Sequence, residues 1–319
     1  MTSVPIDRRA RLLEGVSPAS DRGFEIGPLS SPIVDKGVAP DIVYVDHAST
    51  ADLRVKYGDD AGVGEIVEVD VVWAEGTLAD AAARQLAQGG PFRFGVASHV
   101  IEHVPNLVGW LHELAEVLEA GGTMHLAIPD KRFCFDVRRT ETDFAEVLDA
   151  HLSGRTRPTT AMVFDFWTRY DQVDVPALWA GAQSPTAPIR DDLGLEKALA
   201  ASGSATYTDV HCWVFTPTSF LDVLERMVRL DLCPFGIRSF VPTAVDDLEF
   251  FVVLERLPDG LTAEDRRARQ LADLDRARAV AAPAPLSRDL PSSERPRRTP
   301  PSVARGFVRR LRRIAGATR

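Results

Sequence analysis

The sequence has few cysteines, no long apolar run and no apolar segment near its start. Its 319 residues include three cysteines far apart, so neither a disulfide framework nor a paired metal knuckle is indicated. No stretch approaches the roughly 20 apolar residues that a membrane-spanning helix needs. The first residues are rich in arginine and lack the apolar core of a secretory signal. From these absences we expect a cytoplasmic protein.

The glycine-rich fingerprint G-x-G-x-x-G of dinucleotide-binding proteins is also missing. The corresponding stretch reads Phe24-Glu25-Ile26-Gly27, followed by a Pro-Leu-Ser run. Proline and serine stand where a phosphate-cradling loop needs flexible backbone and free N–H groups. This pattern argues against a nicotinamide or flavin dinucleotide and favours a nucleoside ligand without a pyrophosphate. A plain turn after a strand is the alternative.

Positive charge is scarce in most of the chain and concentrated at its end. Residues 287–319 contain ten arginines and two acids, a local balance of +8, whereas the whole chain carries −9. The rest of the chain therefore carries −17. This acidic part of the chain disfavours sequence-specific nucleic-acid binding, because its negative charge repels the phosphate backbone.

The basic C-terminal segment follows a Pro-rich stretch. Residues 283–302 contain few large apolar residues, which is typical of a disordered linker. Residues 303–319 place Val303, Phe307 and Leu311 on one helical stripe, with arginines largely elsewhere. Such a helix favours weak, reversible contact with an anionic membrane surface, peripheral to the inner face of the membrane. Partner docking, nucleic-acid contact and disorder are the alternatives.

Short apolar strands alternate with helical stretches over the first 130 residues. This alternation favours a parallel sheet with right-handed crossovers, and therefore an α/β fold. Two later strands follow each other closely enough to pair antiparallel. The predicted strands are 23–27, 42–46, 65–73, 93–98, 123–128, 235–241 and 248–257.

Three stretches between and after these strands are helical in pattern. Residues 106–119 carry apolar side chains at three- and four-residue spacing, and Gly121 and Gly122 are expected to end that helix. Thr216 has the features of an N-cap before a helix that starts with proline. Residues 261–282 are predicted to form a charge-dense helix.

Residues 131–208 differ in sequence pattern: short helical stretches rich in aromatic residues alternate with loops that contain proline and glycine. We interpret them as a helical insertion over the ligand edge of the sheet, where they would shape a substrate pocket. The basic pairs Lys131-Arg132 and Arg138-Arg139 are expected to be solvated charges, with contact to an anionic substrate as the alternative.

The stretch His99-Val-Ile-Glu102-His103 spells H-x-x-E-H, the zinc signature of one peptidase group. The spacing would place both histidines on one face of a helix. However, the motif directly follows a buried strand, and Pro105 makes Asn106 a better helix start. We therefore predict no metal site and keep a zinc hydrolase as a remote alternative. Glu102 and His103 are expected to be structural, with His103 bound to a neighbouring backbone group.

Polar residues end two of the predicted strands. Asp46 ends the second strand, 19 residues after Gly27, which is the usual offset for an acid that binds ribose hydroxyls. Ser98 and His99 end the fourth strand. The carboxyl ends of parallel strands meet at the edge where open sheets bind ligands. We therefore expect these side chains to line a ligand site.

Four segments occur in an order and at a spacing typical of one family. They are 24–27 (FEIG), 44–46 (YVD), 97–104 (ASHVIEHV) and 118–126 (LEAGGTMHL). Together they resemble the class I S-adenosylmethionine-dependent methyltransferases, close to the type 11 methyltransferase-domain group. The resemblance covers residues 20–130 and extends over 205–257 as the family's last helix and terminal strand pair.

The resemblance implies a Rossmann-like, doubly wound, mostly parallel sheet of seven strands with an antiparallel terminal pair. Residues 1–260 would form this methyltransferase-like domain. The chain departs from the family in its first motif, which has one glycine where two or three are usual. The crossover after that motif, residues 28–41, is also near the minimum length for a parallel connection.

S-adenosyl-L-methionine is the cofactor that the resemblance implies. The loop after the first strand would hold its methionine portion, Asp46 its ribose hydroxyls and Asp70 the region of its adenine, while Ser98 would lie near the sulfonium. The cofactor-binding residues are thus expected to be Glu25, Gly27, Pro28, Asp46, Asp70 and Ser98.

Methyl transfer to a hydroxyl requires a base, and histidine suits that task at neutral pH. His99 is the first candidate, His211 the second and Asp130 the third. The predicted function is methyl transfer to the hydroxyl or amine of a small molecule or glycan precursor, because relatives of this kind often accompany glycosyltransferases. A methyltransferase-like binding or scaffold protein without catalysis is the alternative.

Overall fold

The structure is a computed structural model that describes residues 7–58, 62–182 and 188–281. Its strands are β1 (Gly23–Ile26), β2 (Ile42–Asp46), β3 (Val71–Val72), β4 (Phe92–Ser98), β5 (Leu118–Pro129), β6 (Phe235–Val241) and β7 (Glu249–Arg256). Its helices are α1 (Arg8–Leu12), α2 (Thr50–Lys56), α3 (Leu78–Ala81), α4 (Ala83–Gly89), α5 (Leu107–Val117), α6 (Phe144–Leu152), α7 (Thr160–Arg169), α8 (Val175–Trp179), α9 (Asp191–Ser202), α10 (Pro217–Arg229) and α11 (Ala263–Ala281). Val63–Glu65 and Ile101–His103 form single 3-10 turns.

The seven strands form one sheet in the order β3-β2-β1-β4-β5-β7-β6. Neighbours from β3 to β5 are parallel, whereas β7 is antiparallel to both β5 and β6. The predicted α/β fold with a terminal antiparallel pair is therefore confirmed. The strand order reverses between β1 and β4, and such a switch point opens a crevice at the carboxyl ends of the strands.

The inner strands are apolar because helices cover both faces of a parallel sheet. Every residue of β1 and β2 is buried, and aromatic and β-branched side chains fill both strands. On one face they join a large core with α5 and α10, which includes Phe24 and Val45. On the other face a smaller cluster includes Tyr44 and Phe94 and reaches Leu12 of α1.

The third strand is much shorter than the predicted stretch 65–73. Only Val71 and Val72 pair with β2, and the segment begins instead with a 3-10 turn at Val63–Glu65. The alternating acids of this stretch resemble a half-buried strand, but it lies at the edge of the sheet, where one partner alone supports it. The prediction of a long third strand was wrong for that reason.

Local signals define the ends of the main helices. The Asn106 side chain accepts a hydrogen bond from the Gly109 N–H at the start of α5, and Thr216 forms a reciprocal capping box with Ser219 at the start of α10. However, α5 ends at Val117, before the predicted glycine stop. Gly121 has a φ of 79° and makes a bend within β5.

Helices α6 to α9 fill the chain between Asp130 and Phe215. These two residues form an isolated parallel bridge, which brings both ends of the segment to the carboxyl end of β5. The charged helix α11 packs on α10 and β6. Among the described residues no helix is both long and apolar enough to cross a membrane. The predicted linker 283–302 and basic segment 303–319 lie outside the described residues.

Candidate functional site

Three predicted site residues lie side by side at the carboxyl edge of the sheet. Ile26 pairs with Val45 on one side and with Ala97 on the other. The next residue on each strand path, Gly27, Asp46 and Ser98, therefore lies at the carboxyl end of one of three adjacent strands at the switch point.

Gly27 bends the chain out of β1. Its φ is 67°, in the left-handed region that favours glycine, and its N–H donates to the Val45 carbonyl at 2.9 Å. A Cβ at this position would lie 3.4 Å from Cγ2 of Val100, an ordinary van der Waals contact, so the positive φ and not space is what favours glycine. Pro28 follows directly, and Leu29 also has a positive φ of 47°.

Glu25 supports the loop after Gly27 through its buried carboxylate. Its two oxygens accept hydrogen bonds from the backbone N–H groups of Ile33 and Val34, at 2.8 and 2.9 Å. Burial raises the pKa of Glu25 to about 7, although these two hydrogen bonds act in the opposite direction. The Glu25 side chain thus holds residues 28–34 back against β1. Its predicted role in cofactor binding would therefore be indirect, by positioning this loop.

Asp46 is buried at the end of β2. Its Oδ1 accepts from the His47 N–H at 2.7 Å and lies 2.6 Å from Nδ1 of the same residue. Its carbonyl accepts from the Trp73 N–H at 2.8 Å, which ties the residue after β3 to the same edge. The sequence analysis did not single out Trp73, although an aromatic side chain just after a strand was a usable signal.

Asp70, predicted near the end of the third strand, lies directly before the two-residue β3. Its carboxylate accepts from the Tyr44 N–H and from Lys36 Nζ, all at 2.7 Å. Asp70 thus holds the crossover between β1 and β2. Its predicted contact with the adenine region is not shown, because the carboxylate is directed towards that crossover.

His99 occupies the tip of β4 in a strained conformation. Its φ is 55°, and its N–H donates to the Ala127 carbonyl at 3.0 Å. Its Nε2 lies 2.6 Å from Oε2 of Glu249, the first residue of β7. Burial raises the pKa of Glu249, but the hydrogen bond from His99 and the charge of Arg8 outweigh it and lower that pKa to about 2. Glu249 is therefore an ionised partner of His99.

Arg8 of α1 covers this edge of the sheet. Its Nε lies 2.5 Å from Oε1 of Glu249, and its Nη2 donates to Oγ of Ser98. Ser98, predicted near the sulfonium, is thus in contact with a guanidinium. Neither Arg8 nor Glu249 was identified from sequence as a site residue, because one is in a short terminal helix and the other opens an apolar strand.

Asp130 is tied into an ion pair. It is fully buried, and its carboxylate accepts from Nε of Arg132 at 3.0 and 3.1 Å, from Nη2 of Arg132 at 2.6 Å and from Oγ1 of Thr243 at 2.7 Å. Both oxygens of this carboxylate are thus held by Arg132 and Thr243. The role of Asp130 as a base stays a prediction. Arg132 is likewise paired and not simply solvated.

His211 is fully buried against a carboxylate. Its Nδ1 lies 2.5 Å from Oδ2 of Asp136, whose Oδ1 accepts from Arg139 at 2.8 Å. Burial lowers the pKa of His211 to about 4, although Asp136 acts in the opposite direction. Burial raises the pKa of Asp136, but the charges of His211 and Arg139 lower it well below its usual range. Arg139 was expected to be solvated and is instead buried within this network.

The histidines of the site surround the buried carboxylate of Glu102. Nε2 of His211 lies 3.8 Å and Nδ1 of His99 lies 3.9 Å from its Oε1. The ring of His103 packs edge-to-face on that of His211, with centroids 4.6 Å apart. Nδ1 of His103 lies 2.8 Å from Oδ1 of Asp209, a carboxylate and not the backbone partner that was expected. Two of the predicted catalytic residues, His99 and His211, are thus brought together.

Two cavities lie away from this cluster. One of about 140 Å³ is lined by His112, Pro234 and Pro258 among others, and one of about 500 Å³ lies beside residues 189–193. Neither is lined by a predicted site residue. At the carboxyl edge, α1 lies over the place where a ligand is expected.

The structure is an α/β protein whose strand order reverses between β1 and β4, and its sheet has the form that the methyltransferase resemblance implies. No family model and no curated protein matches the sequence.

Solved structures with a similar chain path include two methyltransferases and one protein of another description. The CcbJ methyltransferase from Streptomyces caelestis has 12% identity over 79% of this chain and 89% of its own, with a TM-score of 0.39. The CurJ carbon methyltransferase has 12% identity over 77% of this chain, which spans only 51% of that protein, with a TM-score of 0.35. A protein from Rhodobacter sphaeroides, described as a zinc-dependent alcohol dehydrogenase, has 15% identity over 80% and 92%, with a TM-score of 0.42. At these values no activity passes from those proteins to this chain.

Proposed function

We propose that this chain is an S-adenosyl-L-methionine-dependent methyltransferase that acts on a hydroxyl or amine of a small molecule or glycan precursor. The supporting observation is that Gly27, Asp46 and Ser98 lie at the carboxyl ends of three adjacent strands at the switch point of the sheet. This is the edge at which open α/β sheets bind nucleoside-containing ligands. The acceptor class follows from the sequence resemblance alone.

The residues at this edge fit a nucleoside cofactor without a pyrophosphate. Gly27 offers backbone with no side chain, and Asp46 is a buried acid one strand away, suited to two vicinal hydroxyls. Trp73 would lie nearest to the base, because its backbone is bonded to Asp46. Glu25 would act indirectly, by holding the loop that contacts the methionine portion.

The bound cofactor would supply a methyl group on a sulfonium, which is a good leaving group. The protein then needs to position the acceptor and remove its proton. His99 is suited to hold that proton, because the ionised Glu249 accepts from its Nε2 and would stabilise the imidazolium. In this tautomer Nδ1 is the nitrogen that accepts a proton. His211 is less suited, since it is fully buried behind Glu102.

Calorimetry with S-adenosylmethionine and S-adenosylhomocysteine tests the cofactor assignment. We expect Asp46→Ala to weaken binding at least tenfold, because a hydrogen bond to a charged group contributes about 1.5–3 kcal/mol. Asp70→Ala is the matched control and should leave affinity unchanged, since its carboxylate faces Lys36 and Tyr44. Equal losses in both variants would contradict the assignment of Asp46 to the ribose.

A binding or scaffold protein without catalysis is the second candidate. Arg8 covers Ser98 and Glu249, and Glu25 holds the loop after Gly27 closed, so the edge is covered in this conformation. Absence of binding of either nucleoside at millimolar concentration would favour this candidate over the enzyme. Transfer of a labelled methyl group to any member of a panel of sugar and amine acceptors would reject it.

A further inference from the structure

The structure brings together two imidazoles and a carboxylate from distant parts of the chain. Glu102 and His103 lie in the 3-10 turn after β4, and His211 lies in the segment before α10. One ligand atom from each of these residues lies within 4.8 Å of the other two. We propose that Glu102, His103 and His211 bind one divalent transition-metal ion, with zinc the favoured ion.

The donor set favours zinc over magnesium or calcium. Zinc combines imidazole nitrogen with carboxylate oxygen at about 2.0–2.2 Å, whereas magnesium and calcium prefer oxygen ligands alone. Two ligand atoms at these distances, in tetrahedral geometry, lie about 3.3–3.5 Å apart. Nε2 of His211 and Oε1 of Glu102 are already 3.8 Å apart, so small side-chain movements would suffice.

Each imidazole is oriented by a carboxylate on its other side. Oδ2 of Asp136 lies 2.5 Å from Nδ1 of His211, and Oδ1 of Asp209 lies 2.8 Å from Nδ1 of His103. Histidines that bind metals almost always donate their second N–H to a carboxylate, a carbonyl or a water, which fixes the tautomer. The hydrogen bond to Asp136 occupies Nδ1 of His211, so this ring would ligate through Nε2.

The two segments that carry the ligands are fixed to each other by their backbones. The N–H groups of Cys212 and Trp213 both donate to the Glu102 carbonyl, at 2.7 and 3.1 Å. The Tyr207 hydroxyl donates to the His103 carbonyl at 2.8 Å. Because these bonds do not involve the ligand side chains, the site is preassembled on rigid backbone.

Charge and access are also consistent with a cation. The side chains of Glu102 and His211 are buried, and a dication between them would compensate for the carboxylate charge in a low-dielectric interior. His103 and Asp209 retain 13% exposure each, so an ion would enter from their side.

Three protein ligands leave a coordination position open for water or for a hydroxyl. The interpretation of H-x-x-E-H as part of a zinc site is thus supported, but with a different set of ligands. The sequence pattern offered His99 and His103 as ligands. In the structure, Nε2 of His99 contacts Glu249, and His211 takes the third position beside Glu102 and His103.

Metal titration of the full chain tests this proposal. The protein is purified, treated with a chelator and dialysed, then titrated with Zn²⁺ and, separately, with Co²⁺ as a spectroscopic probe. We expect one equivalent to bind, to raise the melting temperature and, for Co²⁺, to give the visible absorption of nitrogen and oxygen ligands. Elemental analysis of the untreated protein should report near-stoichiometric metal.

Variants identify the ligands. His103→Gln and Glu102→Gln should weaken Zn²⁺ binding at least 100-fold, and Asp209→Asn by about 10–100-fold, as expected for a residue that orients a ligand. His125→Gln is the matched control, because His125 is also a buried histidine but lies within β5, and it should keep full affinity. Circular dichroism of the metal-free variants confirms that each is folded.

Two outcomes would overturn the proposal. One is folded wild-type protein that takes up no equivalent of Zn²⁺ at 100-fold excess. The other is binding that His103→Gln and His125→Gln affect equally, which would point to the cysteines or to surface histidines. Neither outcome bears on the methyltransferase proposal, because S-adenosylhomocysteine binding is measured separately on the metal-free protein.

Discussion

The Asp136–Arg139–His211 network provides a direct test of the buried electrostatics of this fold. Asp136 is only 2% exposed and Arg139 only 4%. Removing one partner of a buried ion pair costs about 3–5 kcal/mol, because the other charge stays buried. In Asp136→Asn, Arg139 keeps Oδ2 of Asp165 at 2.7 Å and the His211 carbonyl at 3.0 Å. We therefore expect the free energy of unfolding to fall by about 3 kcal/mol, the lower end of that range.

The measurement is urea unfolding followed by circular dichroism, at neutral pH with a chelator, so that any bound metal does not contribute. Asp222→Asn is the control, because Asp222 is exposed and pairs with Arg278 at 2.6 Å on the surface. That pair should contribute at most about 1 kcal/mol. The pKa of Asp136 is lowered in the folded state, so its contribution is present above about pH 4 and declines as the pH falls further. If Asp136→Asn lowered the free energy of unfolding by less than about 1 kcal/mol, as expected for Asp222→Asn, this account would be refuted.

Three further predictions concern single residues outside that network. Gly27→Ala should lower the free energy of unfolding by about 1–2 kcal/mol, because φ is 67°, while Gly64→Ala, with no heavy atom within 4 Å of its Cβ position, should change it little. Burial lowers the pKa of His125 to about 4, so the neutral ring stabilises the fold above pH 6.5 and that stability is lost as the pH falls through 4. At about 1.4 kcal/mol per pKa unit this amounts to about 3 kcal/mol, and His125→Gln should flatten the unfolding profile over that range; an unchanged slope would contradict it. Thr216→Ala removes the N-cap of α10 and should lower the free energy of unfolding by about 1 kcal/mol in the same assay. An unchanged free energy of unfolding would contradict a stabilising role of the capping box.

Patterns that depend on neighbouring residues were readable from the sequence. The strand Ile42–Asp46 was predicted with its observed bounds, and the starts of α5 and α10 followed from Asn106 and Thr216. The position of Gly27 directly after the first strand and that of Asp46 at the end of the second were also correct. In each case periodicity, capping or backbone conformation is set within a few residues.

Features that depend on the position of a segment within the sheet were not readable. The acids and valines before Trp73 alternate like a strand, yet at the sheet edge only Val71 and Val72 pair. Asp70 therefore lies just before β3, and its carboxylate contacts Lys36 of the preceding crossover. Similarly, the basic residues after β5 read as solvated, and the burial of Arg139 depends on how the insertion packs.

By itself the sequence determined the α/β class, the antiparallel terminal pair and which strands end in polar residues. Only the tertiary structure decided the partners of those residues: Glu249 for His99, Asp136 for His211, and Glu102 as the carboxylate between them. The reason is physical. Hydrophobic periodicity and capping act over one or two turns, whereas the state of a buried charge depends on groups that folding brings from distant parts of the chain.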